Sequence, residues 1–376
     1  MPLTQSKAIA NAAMAPIGIA LVGGGIFIKQ AHLPAVLATP SLEIKAIYSR
    51  SLKSAQDTAA LLPTPASAAL YSDDEGGSGG YAAVLARADV AGVIIALPIA
   101  NQPTYVRLAL DAGKHVLAEK PIAPDVDQAR GLLRHYADIR AAGSAATWSV
   151  AEQFRCMPNY LRGAAEARTL GKVTGFRAIQ NFMIKEDNQY YNTDWRKVPT
   201  HNHGFLLDAG VHWVASLRML LGPDEPVETA SGLSHTATKH LPPPDTLQGV
   251  LRTRSGVSGA FLASCGSTLP ALSEFAVACE RGSVVIRRDQ VTIVRTAATA
   301  DGKTTEETET VDVDASGNVL YEVQAWAAAL QAGVPDPRLA PEEALADLEL
   351  LLGMLQSAEA GGIPQTLGLQ QVGASA

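Results

Sequence analysis

The chain has 376 residues, with 30 lysines and arginines against 37 aspartates and glutamates, and a formal net charge of −7. This length predicts about two domains, and an apolar content of 47% excludes a chain that is disordered throughout. The acidic balance provides no extended basic surface for nucleic acid, and no apolar run approaches the length of a membrane span. The 3 scattered cysteines form no disulfide framework or metal motif and favour a reducing compartment.

Residues 1–16 contain one lysine and mostly small residues, without the apolar segment of a secretory signal. They lack acidic residues, as organelle transit peptides do, but they also contain no arginine. We interpret residues 1–16 as a flexible leader and expect a cytoplasmic protein.

Short apolar runs alternate with helical patterns from residue 17 to residue 150, the predicted first domain. The runs predict buried strands at 17–22, 42–48, 93–97 and 115–118, and the spacing of apolar residues predicts helices at 30–38, 52–62, 81–87 and 104–112. Strands that are apolar throughout and separated by helices predict a parallel sheet covered on both faces, a doubly wound α/β fold of the Rossmann type. Residues 73–80, acidic and rich in glycine, predict a flexible surface insertion.

The pattern changes after residue 150, and residues 151–365 predict an α+β domain with a mostly antiparallel open sheet. A helix at 158–170 precedes segments in which polar and apolar residues alternate, at 173–184, 247–254, 257–264, 275–280, 284–288 and 291–294. Further helices are predicted at 208–221, 321–330 and 341–359, the last able to pack back on the first domain, before a loosely held tail at 366–376. The sheet's second face is neither fully polar nor fully apolar, which favours a homodimer or a higher homo-oligomer.

A glycine-rich loop follows the first strand and precedes a helix. A tight turn whose backbone approaches a pyrophosphate needs glycine, and Gly23 and Gly25 match the first glycines of the G-x-G-x-x-G pattern, with Ile26 and Phe27 beside them. Ile28 stands where the third glycine is usual, so we expect the helix to be displaced slightly from the strand. A plain tight turn is the alternative, which the loop's place in a β-α-β unit disfavours.

The end of the second strand carries hydroxyls and cations, where NAD-binding domains usually have a carboxylate for the ribose. Ser49, Arg50, Ser51 and Lys53 occupy this place. Such donors suit a 2′-phosphate, so the sequence favours NADP. NAD stays open, because Arg50 and Lys53 are also ordinary surface residues.

The sequence resembles the glucose–fructose oxidoreductase, inositol dehydrogenase and MocA family of oxidoreductases. The resemblance runs from about 17 to 367 and rests on an ordered set of segments: the glycine loop with 32–35, then 96–98, 113–121, 195–196, 204–212 and 341–360. It implies a nicotinamide cofactor at the carboxyl ends of the parallel strands, where ligands bind in open α/β sheets. The further cofactor candidates are Leu97, Pro98, Asn101, Glu119 and Lys120.

Three residues are candidates for catalysis. Lys120 follows a strand at its carboxyl end, and Asp208 and His212 lie four apart, on one face of a predicted helix. A carboxylate beside an imidazole would orient the ring for general base catalysis, whereas a surface lysine, a helix cap and a core histidine are the alternatives. The resemblance implies that His212 takes the substrate hydroxyl proton while Lys120 and Asp208 position the alcohol.

The resemblance also implies a substrate-binding wall with hydroxyl and cation donors suited to a sugar or polyol. Its candidates, each of which could equally serve packing, are Arg155, Tyr190, Tyr191, Trp195, Arg196, Asp208 and His212. His201 and His203 have no cysteine or carboxylate pair nearby to complete a set of ligands, so no metal site is expected.

The main hypothesis is therefore an NAD(P)-dependent oxidoreductase, with NADP preferred, acting on a sugar, polyol or related hydroxy or carbonyl compound. The alternative is a non-catalytic regulator or binding protein that senses a nucleotide on the same fold, since fold alone does not determine function. The presence of Lys120, Asp208 and His212 together favours the enzyme. Ile28, in place of the third glycine, and the stretch 201–203, which departs from the family's pattern, slightly favour the regulator.

Overall fold

The computed structural model describes residues 15–74, 79–298 and 303–371. The predicted leader lies outside the described residues except for its last two positions. Parts of the predicted insertion at 73–80 and of the predicted tail at 366–376 also lie outside them.

The first domain contains a parallel sheet of 6 strands in the order β3-β2-β1-β4-β5-β6. The strands are β1 (Ile17–Val22), β2 (Leu42–Ser49), β3 (Ala69–Ser72), β4 (Gly92–Ile95), β5 (His115–Glu119) and β6 (Trp148–Ala151). The chain reverses its direction of winding between β1 and β4, which creates the crevice where ligands bind in doubly wound sheets. The predicted Rossmann-type fold is confirmed.

Helices cover both faces of this sheet. They are α1 (Leu33–Leu37), which continues a π-helical turn at Ile28–His32, α2 (Leu52–Ala59), α3 (Tyr81–Leu85), α4 (Gln102–Asp111) and α5 (Val126–Ala141). Two of them begin at capping side chains, which satisfy backbone N–H groups that the helix leaves free. Ser51 accepts from the Ser54 N–H at 3.2 Å, and Asp125 accepts from the Gln128 N–H at 2.8 Å.

The second sheet has 9 strands in the order β14-β13-β12-β11-β7-β10-β9-β8-β15. They are β7 (Val173–Asn181), β8 (Val227–His235), β9 (Thr246–Thr253), β10 (Ser258–Ser264), β11 (Leu272–Cys279), β12 (Gly282–Arg287), β13 (Gln290–Ala298), β14 (Thr304–Asp312) and β15 (Gln365–Thr366). Neighbouring strands are antiparallel except β7 and β10, which are parallel. The predicted mostly antiparallel sheet is confirmed.

The remaining helices are α6 (Pro158–Thr169), α7 (Asp194–Lys197), α8 (Gly204–Leu221), α9 (Val319–Ala332) and α10 (Pro341–Glu359). Among the described residues, α8 is the one helix long and apolar enough to cross a bilayer, but 78% of it is buried inside the protein. It packs on β7 and β11. Its apolar sequence therefore reflects a central position in the core.

The assignment of residues 151–365 to one domain is wrong for α9, which belongs to the first domain. Val323 and Trp326 are buried in the same apolar cluster as Ile19 and Leu21 of β1, and α9 contacts α1. A parallel sheet needs apolar cover on both faces, and this late segment supplies part of it. The helix α10 contacts β8 and α8 and also α5 and β6, so it packs on both domains.

The described part of the predicted loose tail is held in place. The strand β15 pairs with β8, and the Glu349 carboxylate accepts the backbone N–H groups of Gly368 and Leu369, each at 2.9 Å. Gln370 is buried. These contacts satisfy backbone groups that a loose tail would leave to water.

Candidate active site

A cleft of about 570 Å³ lies at the carboxyl ends of β1, β2, β4 and β5 and is closed on its other side by α8 and the segment 182–196. It brings together most of the predicted site residues, from both domains. Those that line it are Gly23, Gly25, Ile26, Phe27, Ser49, Arg50, Leu97, Pro98, Glu119, Lys120, Tyr190, Trp195, Arg196, Asp208 and His212.

Several predicted residues do not line the cleft. The Ser51 hydroxyl caps α2, Lys53 is 82% exposed and pairs with Asp57, and Asn101 is exposed at the start of α4. The Tyr191 hydroxyl donates to the His240 carbonyl oxygen at 3.2 Å. The side chains of Ser51, Lys53 and Tyr191 are held by these contacts, and none of the four positions supports the predicted cofactor and substrate roles.

The prediction that Arg155 binds substrate is wrong. Its guanidinium is buried and lies 2.7 Å from Asp347 Oδ1 and 3.2 Å from Glu343 Oε2, both on α10. Arg218 of α8 shares the same carboxylates, at 2.6 Å from Asp347 Oδ1. A buried cation requires such partners. The ion pairs of Arg155 therefore connect the segment after β6 to α10.

The glycine loop has the geometry that a bound pyrophosphate requires. Gly23 has a φ of +121°, and a Cβ there would overlap the carbonyl oxygen of Ala96. By contrast, a Cβ on Gly25 would meet no atom within 4 Å. The open space beside Gly25, on a loop that leads into a helix, lets the backbone approach an anionic ligand. The residues present therefore fit a dinucleotide.

Ile28 is wholly buried in the apolar core beneath the loop. A π-helical turn, which is wider than an α-helical turn, runs from Ile28 to His32. The expected displacement of the helix from the strand stays a prediction.

Lys120, Asp208 and Arg196 form a partly buried ion cluster at the floor of the cleft. Lys120 Nζ donates to Asp208 Oδ1 at 3.0 Å and to the Asp208 carbonyl oxygen at 2.7 Å. Arg196 Nε donates to Asp208 Oδ2 at 2.7 Å. Burial alone would raise the pKa of Asp208, but the two cations outweigh it and hold that pKa well below its usual range. Asp208 is therefore an ionised group that fixes both cations.

Two details of the Asp208 prediction are wrong. The helix α8 begins at Gly204 with His203 preceding it, so Asp208 lies in its second turn and is no cap. The partner of His212 is also a different carboxylate: His212 Nδ1 lies 2.6 Å from Glu152 Oε1. Because Lys120 and Arg196 hold both carboxylate oxygens of Asp208, it is committed to the two cations.

Glu152 is a site residue that our sequence reasoning missed. It follows β6 directly at the carboxyl edge of the sheet, and this position of an acidic residue was the available signal. Its carboxylate is buried, and Oε1 also accepts the Phe154 N–H at 3.2 Å. The Phe154 ring stacks on the His212 ring at 4.8 Å between centroids. The hydrogen bond and the stacking contact together fix the orientation of the imidazole ring.

A carboxylate only accepts hydrogen bonds, so Glu152 places the proton of neutral His212 on Nδ1. The lone pair is then on Nε2, and the ring lines the cleft. Glu152 also stabilises the cation that forms when Nε2 takes a proton. This arrangement can perform general acid–base catalysis.

Aromatic rings and a cation form the wall of the cleft on the second-domain side. The Arg196 guanidinium lies 4.0 Å from the Trp195 ring centroid and 5.4 Å from that of Tyr190. Such contacts hold Arg196 in place beside Asp208. The wall combines flat apolar surface with hydrogen-bond donors.

The fold and this cleft define an oxidoreductase that binds a nicotinamide dinucleotide. Residues 17–140 match the model of the oxidoreductase family with an NAD-binding Rossmann fold, and residues 159–285 match the GFO/IDH/MocA C-terminal domain. The chain belongs to this family, the GFO/IDH/MocA oxidoreductases, as its sequence motifs predicted.

Similar proteins agree with this assignment. The dehydrogenase FPY6 of Fusarium mangiferae is 38% identical over 352 residues, which cover 92% of this chain and 97% of the relative. D-xylose 1-dehydrogenase (NADP(+)) 2 of Haloferax volcanii is 25% identical over 335 residues, or 87% of this chain and 97% of the relative. The crystal structure of an oxidoreductase from Thermotoga maritima superposes with a TM-score of 0.79 at 25% identity and covers 93% of this chain and 98% of that chain.

Proposed function

We propose that this protein is an NADP-dependent oxidoreductase that transfers a hydride between the cofactor and a sugar, a polyol or a related hydroxy or carbonyl compound. One observation carries the proposal: a single cleft joins the glycine loop to Lys120, Asp208 and His212. A relative named for D-xylose and NADP(+) supports the substrate class and the cofactor.

The nicotinamide, when bound, supplies the hydride chemistry. His212 Nε2 takes the hydroxyl proton during oxidation and returns it during reduction, while Glu152 holds the ring through Nδ1. Lys120, fixed by Asp208 at 3.0 Å, donates a hydrogen bond to the substrate oxygen. Asp208 keeps both neighbouring cations in position, so the oxygen meets pre-oriented donors.

The preference for NADP rests on the carboxyl end of β2. Ser49 and Arg50 line the cleft there, and residues 50–56, which follow β2, include no carboxylate to bind the ribose hydroxyls. An arginine is suited to a 2′-phosphate because its planar fork binds phosphate oxygens in pairs.

We further propose that the protein is a cytoplasmic homodimer joined through the second sheet. The face of this sheet away from α10 displays Leu233 and Val250, which are 63% and 62% exposed. Exposed apolar side chains on a long sheet favour association, and a second copy of the chain offers a self-complementary partner.

A panel of monosaccharides, polyols, sugar acids and dicarbonyl compounds, followed at the absorbance of the reduced nicotinamide with each cofactor, tests the activity. We expect turnover with at least one sugar-like compound, and faster rates with NADP than with NAD. No turnover across the panel by a protein that binds cofactor would contradict the proposal and favour the non-catalytic regulator.

A further inference from the structure

A buried carboxyl group with no hydrogen-bond partner lies behind the candidate active site. Glu322, on α9, is 0% exposed, and neither of its carboxylate oxygens has a partner among the described residues. One oxygen of Glu322, a ring nitrogen of His32 and an oxygen of Glu119 lie within 4.8 Å of one another. Glu119 immediately precedes Lys120, so this cluster adjoins the catalytic residues.

The charged groups around Glu322 are already paired with other residues. Glu119 accepts from His32 Nε2 at 2.7 Å, and Glu152 is bonded to His212 at 2.6 Å. Lys120 is bonded to Asp208. The remaining titratable neighbour is the thiol of Cys156, whose pKa burial raises to about 12. Glu322 therefore faces two carboxylates, a histidine already bonded to one of them and a neutral thiol, without a cation of its own.

An ionised carboxylate in this place is strongly disfavoured. Burial raises the pKa of Glu322 well above its usual range, and the charges of Glu119 and Glu152 raise it further, although Lys120 opposes them. A proton on the carboxyl removes the unpaired buried charge.

We propose that Glu322 is a positioning residue that keeps a proton at neutral pH, so that Glu119 and Glu152 remain the anions of this cluster, bonded to His32 and His212. The neutral acid closes the base of the site without competing for Lys120 or for either histidine. A negative charge on Glu322 would instead repel both carboxylates and disturb the orientation of His212. The catalytic part of this inference rests on the proposed function, whereas the bound proton does not.

A metal ion is the competing occupant of this cluster. Ligands at about 2.0–2.1 Å in a tetrahedral zinc site lie roughly 3.3 Å apart. His32 and Glu119 are closer, at 2.7 Å, which is the distance of an N–H···O hydrogen bond to a carboxylate. The contact between His32 and Glu119 therefore favours a proton in the cluster.

The proton is tested by the pH dependence of stability. A native state that holds a proton released by the unfolded chain loses stability as the pH rises above about 5, the upper end of ordinary carboxyl titration. Glu322→Gln removes this proton, and Glu43→Gln, on the exposed carboxylate of β2, is the matched control. From pH 5 to 8, we expect the denaturation midpoint of Glu322→Gln to rise steadily relative to that of the wild type. The midpoint of Glu43→Gln should stay at a constant difference from that of the wild type over the same range.

Parallel curves for Glu322→Gln and the wild type would overturn the proposal. So would a stoichiometric divalent metal in the purified protein whose removal destabilises the wild type and leaves Glu322→Gln unchanged. If Glu322→Gln does not fold, the infrared spectrum of the wild type at pH 7 tests whether the buried carboxyl group holds a proton. A protonated carboxylic acid band is expected, and its absence would contradict the inference.

The positioning role is tested with the substrate found in the panel. We expect Glu322→Gln to keep kcat within about threefold at pH 7 and to lose an alkaline decline that the wild type shows. An unchanged alkaline decline in Glu322→Gln would reject this role even where the stability curves confirm the proton. Absence of activity in the wild type would reject the proposed function and leave the stability test intact.

Discussion

Asp208 shows how one residue organises the cleft. It lies in the second turn of α8 and accepts hydrogen bonds from Lys120 and Arg196 on different oxygens. Each cation comes from a different part of the chain, one after β5 and one from α7. Because charge-assisted hydrogen bonds are short and directional, the carboxylate sets the position of both cations before substrate arrives.

The pairing of Glu152 with His212 leads to the first prediction. In Glu152→Gln, the side-chain amide can donate to Nδ1, which would place the imidazole proton on Nε2 and block proton uptake there. We expect kcat to fall by about a hundredfold or more, measured as initial rates with the panel substrate. Glu228→Gln, on the exposed side of β8, is the control. Wild-type kcat in Glu152→Gln would refute the assigned role.

A second prediction concerns the cofactor. Arg50→Ala removes the guanidinium at the end of β2, so the KM for NADP should rise about tenfold while that for NAD changes little, as expected for one charge-assisted hydrogen bond. Steady-state rates with both cofactors measure this. Lys53→Ala, an exposed cation outside the cleft, should leave both values unchanged. An equal change for NAD and NADP would contradict the NADP assignment.

At the scale of elements, the sequence predicts the strands that are apolar throughout and the helices with regular spacing. It misses the helices α5 and α7 and five strands, which are β3, β6, β8, β14 and β15. The side chains of β14 are almost all polar and mostly exposed, so this strand has no apolar pattern to detect. The place of α9 is also hidden, because an apolar helix does not reveal which sheet it covers.

The same limit applies to the site. Motifs predict Lys120, Asp208 and His212, and these residues do meet in one cleft. Spacing along a helix suggests that Asp208 orients His212, yet the actual partner, Glu152, comes from the end of another strand. Arg155 shows the reverse error, since its buried partner Asp347 on α10 lies 192 residues away in the chain. Contacts between distant segments depend on tertiary packing, which local patterns do not encode.

The buried ion cluster around Arg155 gives a prediction at this scale. Arg155→Ala leaves the carboxylates of Asp347 and Glu343 with one cation fewer, and breaking a buried pair costs on the order of 3 kcal/mol in the free energy of unfolding. Chemical denaturation measures the loss, and Arg288→Ala, at a 90% exposed arginine, is the control. If Arg155→Ala had a normal denaturation midpoint and a tenfold higher KM for substrate, the result would instead support substrate binding by Arg155.

At the scale of the whole molecule, α10 joins the two domains and packs on one face of β8 and β9 in the second sheet. The backbone of Met354 on α10 lies where a Cβ on Gly232 would overlap it, and its side chain lies against Gly249. Both glycines therefore permit close packing of helix on sheet. The opposite face of β8 and β9 is the surface proposed for dimer formation.

This surface gives a prediction of its own. Leu233→Arg combined with Val250→Arg places charges on the exposed face, so the proposed dimer should dissociate. Light scattering at micromolar concentration should give twice the chain mass for the wild type and the chain mass for the double variant. Val334→Arg, at an exposed position after α9, should remain dimeric. A wild type with the mass of a single chain would contradict the proposed dimer.

The most direct test of the catalytic role of the cleft compares cofactor binding with turnover in His212→Ala and Lys120→Ala. Both side chains act on the substrate oxygen and its proton, so we expect each variant to bind NADP within about threefold of the wild type and to lose about a hundredfold or more in kcat. His235→Ala, on the exposed part of β8, should retain full turnover. Near-normal turnover in both site variants would contradict the catalytic role of the cleft.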